Sequence, residues 1–117
     1  MNNKQLKAIK NHVTKFGGAT LEARGLAITA LKRGYMVSIE GYELQTTLDA
    51  LNKRTLEKYQ RLAKAKNGFL GLWIDNGVLY VDISKQVMQL SSALSMAKSN
   101  NQLAIYCNAK GDSIYLK

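Results

Sequence analysis

The sequence predicts an α+β fold, a single domain in which a mainly antiparallel sheet is packed by helices. Three observations predict it. Helical spacing and strand alternation follow one another in the order α-α-β-α-β-β-α-β-β. Two segments read as β-hairpins, each turning at a glycine. The 117 residues contain no proline and no Gly/Ser-rich or like-charged tract, so no linker divides residues 1–117 into two units.

Residues 3–16 place Leu6, Ile9, Val13 and Phe16 on one helical face, with Lys4, Lys7, Lys10 and Lys15 around it. Gly17-Gly18 ends this helix. A second helix is expected from Thr20 or Leu21 to Arg33, capped by Thr20, striped by Leu21, Ile28 and Leu31, and closed by Gly34. Tyr35, Val37 and Ile39 alternate as in a strand, which Glu40-Gly41 breaks. Thr46 to Lys66 returns to helical spacing through Leu48, Leu51, Thr55, Tyr59 and Leu62, and Asn67-Gly68 ends it. After the hairpin of residues 69–83, Ser84 reads as the N-cap of a fourth helix carrying Val87, Leu90, Leu94 and Ala97. Asn100-Asn101 closes that helix, and two β-rich runs follow around Ala109-Lys110-Gly111.

The central hairpin, GLWIDNGVLYVDIS at residues 71–84, can be registered from its turn. Asn76-Gly77 suits a two-residue type I′ loop, because both residues tolerate positive φ. Asp75 then faces Val78, and the pairs Ile74–Leu79, Leu72–Val81 and Leu70–Ile83 share one apolar face, the core. The other face pairs Trp73 with Tyr80 and Gly71 with Asp82. Aromatic residues on a sheet can stack nucleic-acid bases, but Asp75 and Asp82 beside this pair would repel phosphates. Trp73 and Tyr80 are therefore expected to pack under another element or to form a protein-contact surface.

Charge is unevenly spread. Seventeen Lys and Arg against eight Asp and Glu give a formal net charge of +9. Residues 1–66, the mainly helical half, hold thirteen basic and five acidic residues; residues 67–117, the hairpin-helix-hairpin half, hold four and three. One basic half is the electrostatic footprint of a nucleic-acid or nucleoprotein partner. The densest part is the stripe Lys53, Arg54, Lys58, Arg61 and Lys64, opposite the apolar face of its helix and relieved only by Glu57. Such a stripe contacts phosphates without reading sequence. A helix-turn-helix made from residues 3–33 is the alternative route to DNA, although the first turn of its second helix, Leu21-Glu22-Ala23-Arg24, is poor in base-reading side chains.

Catalytic and metal chemistry are not expected. GGAT at residues 17–20 lacks the Gly-Lys-Ser/Thr of a phosphate loop. His12 has no partner ligands in its vicinity of the chain, and Cys107 reads as a buried, inert strand thiol. Asp75, Asp82 and Asp112 could meet only if the two hairpins adjoined, and a two-metal site needs a tighter cluster. No enzyme, cofactor or metal is thus expected. No apolar run could span a membrane, the lysine-rich N-terminus does not read as a signal peptide, and a lone cysteine suits a reducing cytoplasm.

Three motifs, RGYMVSIEGYE at 33–43, GLWIDNGVLYVDIS at 71–84 and NNQLAIYCNAKGDSIYL at 100–116, resemble small proteins encoded by bacteriophages and mobile elements. That resemblance assigns no residue a role. It implies a non-enzymatic accessory protein in the host cytoplasm, acting by stoichiometric binding. The expected target is a nucleic-acid-containing host complex, engaged as an anti-CRISPR or other anti-defence inhibitor would engage it. The alternative is a DNA-binding transcriptional regulator.

Overall fold

The structure is a computed structural model and describes residues 1–116. It is an α+β fold with three helices on one antiparallel sheet. In chain order the elements are α1 (Asn3–Phe16), β1 (Gly18–Glu22), β2 (Ile28–Thr29), β3 (Tyr35–Ser38) and β4 (Leu44–Thr46). These are followed by α2 (Lys53–Lys66), β5 (Phe69–Asp75), β6 (Val78–Val87), α3 (Leu90–Ser99), β7 (Ala104–Cys107) and β8 (Asp112–Tyr115). The strands lie in the order β2-β1-β5-β6-β3-β7-β8, with β4 also paired to β6.

The β5–β6 hairpin is the centre of the sheet, and its register is the expected one, from Asp75 opposite Val78 to Leu70 opposite Ile83. Asn76 and Gly77 both take positive φ, 50° and 78°, as a type I′ loop requires. Leu70, Leu72, Leu79, Val81 and Ile83 are buried, and Ile74 packs at their margin. They meet Ile9 and Val13 of α1 and Leu56, Tyr59 and Ala63 of α2. A second, smaller cluster joins Val37 and Ile105 to Ala93 and Ala97 of α3. Strand register puts all these sheet residues on one side. The three helices therefore cover a single face of the sheet.

The expected helix over residues 20–33 does not form. Residues 18–22 instead pair with β5, and Ile28–Thr29 return as a short second strand. Two forces oppose a helix here. Gly25 costs about 1 kcal/mol inside one, and it sits with Leu26 in a left-handed turn at φ 71° and 55°. The free edge of β5 also offers five backbone partners, which residues 18–22 take. The helix-turn-helix alternative loses its second helix by the same finding.

Two further boundaries differ. Ser84 caps no helix: β6 runs on to Val87, because Ser84 to Val87 pair with Ser38 to Tyr35. Helix α3 begins only at Leu90, with no side-chain cap from Gln89. Likewise α2 begins at Lys53, where the Asn52 carboxamide accepts from the Thr55 N–H at 2.9 Å, while residues 44–46 are strand. β3 and β4 both run antiparallel to β6 and form one interrupted strand. Residues 39–43 bulge out of it opposite Asp82 and Ile83, with Gly41 at φ 92°.

Candidate nucleic-acid interface and the opposite sheet face

Helix α2 displays its cations as its sequence spacing requires. Leu56, Tyr59 and Ala63 are buried, and Lys53, Arg54, Lys58, Arg61 and Lys64 are all exposed on the far side. The helix is held at both ends, by Asn52 at its start and by Asn67 at φ 53° at its end. Tyr59 ties its middle to the bulge, its hydroxyl donating to the Tyr42 carbonyl at 2.7 Å. Glu57, the one acid of the stripe, lies 3.2 Å from the Met1 ammonium. Its charge is therefore offset locally.

The stripe is part of a wider basic layer. Helix α1 adds Lys4, Lys7, Lys10 and Lys15, and α2 ends with Lys66. Both helices pack on β5 from the same face of the sheet, and α1 contributes no acid. A helical layer with ten cations and one carboxylate is suited to holding a phosphate backbone. Contacts of that kind position a duplex or strand without selecting its sequence.

The other side of the sheet is the reverse. Among the described residues no helix covers it, and register places Trp73 and Tyr80 there directly opposite one another. Their rings stack at a centroid distance of 4.3 Å and an interplanar angle of 14°. Trp73 is 44% exposed, so the pair is not packed beneath another element. Tyr106 and Tyr115 lie on the same side of β7 and β8, also exposed.

Asp82 is the unexpected member of this face. It is only 8% exposed. The Ser38 hydroxyl donates to its carboxylate at 2.8 Å and the Ser84 hydroxyl at 3.1 Å. Its carboxylate occupies the place where a side chain at residue 71 would begin, so Gly71 is needed for its close approach. Burial pushes the Asp82 carboxyl above the ordinary carboxylate range; the two serine hydrogen bonds oppose this, and Glu43 adds to it. Tyr59 is also raised, by its own burial first and then by Asp82 and Glu43. The sequence did carry a signal for this cluster, a glycine opposite an aspartate in a registered hairpin. Ser38 and Ser84 could join it only once β3 had paired with β6.

Asp75, Asp82 and Asp112 are not brought together. Asp75 and Asp82 share a face but lie at different heights on the hairpin, and Asp112 pairs with Cys107 on the far hairpin. Among the described residues no three His, Cys, Asp or Glu side chains could hold a metal ion. The His12 ring packs against Phe16 in a tilted pair with centroids 4.6 Å apart, and Cys107 is a buried free thiol. Two shallow depressions lie along α3, one lined by Ser91, Ser92, Ser95 and Ser99, the other reaching Ile114 and Tyr115. Neither touches the basic stripe or Trp73. Among the described residues no helix is long and apolar enough to cross a membrane. Compared with protein-family models, with curated proteins and with solved structures, the chain matches none.

Proposed function

We propose that this protein is a non-enzymatic, stoichiometric binder of a nucleic-acid-containing target, which it engages through the helical layer. One observation carries the reading: all five cations of the α2 stripe stand exposed on a single face of a firmly packed helix. The four lysines of the neighbouring α1 extend that field. The resemblance of residues 33–43, 71–84 and 100–116 to bacteriophage and mobile-element proteins supplies the context. In that reading the target is a host nucleoprotein complex in the cytoplasm, and the action is anti-defence, as in an anti-CRISPR inhibitor.

A mobility-shift titration with duplex and single-stranded DNA and RNA, at two salt concentrations, tests it. Affinity should fall steeply with salt and vary little with sequence, since the contacts are to phosphates. Reversing Arg54, Lys58 and Arg61 to Glu should abolish the shift while the circular dichroism spectrum stays unchanged. Single Lys or Arg to Ala changes should each lower the salt slope by about one, uniformly across sequences. Absence of any shift at low salt would remove direct nucleic-acid contact from the proposal.

A further inference from the structure

We propose that the open sheet face is a second docking surface, selective for an arginine- and lysine-bearing segment of another protein. Charge complementarity favours that occupant, on a face that no helix covers among the described residues. The register assigns the exposed Glu22 and Asp75, together with the buried Asp82, to this side of the strands and places no Lys or Arg there among the described residues. In a chain of formal charge +9, a face whose exposed charged strand residues, Glu22 and Asp75, are both acidic is unexpected. Ten of the seventeen Lys and Arg lie on α1 and α2, in the opposite layer.

The exposed side chains fit the same occupant. Trp73 and Tyr80 present a stacked pair of aromatic rings beside Asp75, and a guanidinium can lie on such rings while pairing with a carboxylate. Aromatic residues on an otherwise polar surface are also the usual anchors of protein contacts. A phosphate-bearing ligand is disfavoured by the acids. A second copy of this chain, docking its own α2 stripe, would consume the surface that the proposed nucleic-acid contact needs.

The measurement is direct, because Trp73 is the only tryptophan of the chain. Hexa-arginine is titrated into the full-length protein, with hexaglutamate and a Gly-Ser hexapeptide as comparisons, and Trp73 emission is followed. A saturable change is expected with hexa-arginine alone. The Glu22→Gln/Asp75→Asn double variant, altered only at exposed side chains, should weaken binding by about tenfold, since two exposed ion pairs are lost. Fluorescence anisotropy of labelled hexa-arginine reads Trp73→Leu, which should weaken it as well. A flat titration, an equal response to hexaglutamate, or full affinity in the double variant would overturn the proposal. So would sedimentation showing that self-association accounts for the emission change, since the face would then belong to a second copy. The double variant should keep wild-type nucleic-acid affinity, so this inference and the α2 reading fail independently.

Discussion

At the residue scale, Asp82 is where local chemistry departs most from surface expectation. Its raised carboxyl means that the folded state holds a proton which the unfolded chain releases at the ordinary carboxylate range. That contribution to stability is fully present below the unfolded value and is lost as pH rises through the folded one. Thermal unfolding between pH 3 and 8 should therefore show a downward slope above the carboxylate range, and Asp82→Asn should flatten it. Gly71 is the complementary test. A methyl at Gly71 would enter the space of the Asp82 carboxylate, so Gly71→Ala should cost about 1–3 kcal/mol. Removing the carboxylate with Asp82→Ala should recover part of that loss, a coupling that a double-mutant cycle in urea measures.

At the scale of elements, α2 depends on its ends and on its buried stripe. It is polar over most of its surface, so its position rests on Leu56, Tyr59 and Ala63 and on its caps. Asn52→Ala should cost about 1 kcal/mol by urea unfolding, because the Thr55 N–H loses its acceptor. Leu56, fully buried, should cost about 2–5 kcal/mol as Ala. Neither change touches a cation of the stripe. Nucleic-acid affinity of the folded Asn52→Ala protein should stay near wild type, which separates the stability of the helix from its charge. The contrast with residues 20–33 is instructive. Both segments have helical spacing, but residues 20–33 contain Gly25 and lie beside an unpaired strand edge, and they become β1 and β2.

At the scale of the whole molecule, the two clusters differ in size. The larger unites α1, α2 and the centre of the sheet, whereas the smaller holds α3 to β3 and β7 through four buried residues. Among the described residues strand β8 pairs only with β7. Hydrogen exchange should therefore be slowest at Leu72, Val81 and Ile83. Residues 104–115 and α3 should open first as a unit, and a native-state exchange series in low denaturant would show it. Charge follows the same layering: α1 and α2 carry ten of the seventeen Lys and Arg, and the open sheet face carries Glu22, Asp75 and aromatic rings. The two proposed surfaces point in opposite directions, which would let one chain contact a nucleic acid and a basic protein together.

Several features were determined by the sequence itself, since each is a local matter. The Asn76-Gly77 turn sets the register of β5 and β6 by its own φ preference, and that register separates core from outer face. Helical spacing alone put Lys53, Arg54, Lys58, Arg61 and Lys64 opposite the buried side of α2. Only the tertiary structure decided what residues 18–29 become, because an unpaired edge on β5 is a partner distant in the chain. It decided also that β6 continues through Ser84 to meet β3, and that Ser38 and Ser84 both reach Asp82. And it left Trp73 and Tyr80 uncovered, since all three helices fall on the other face. Pairing and layer placement depend on which strands and helices meet in space, and no local propensity encodes that.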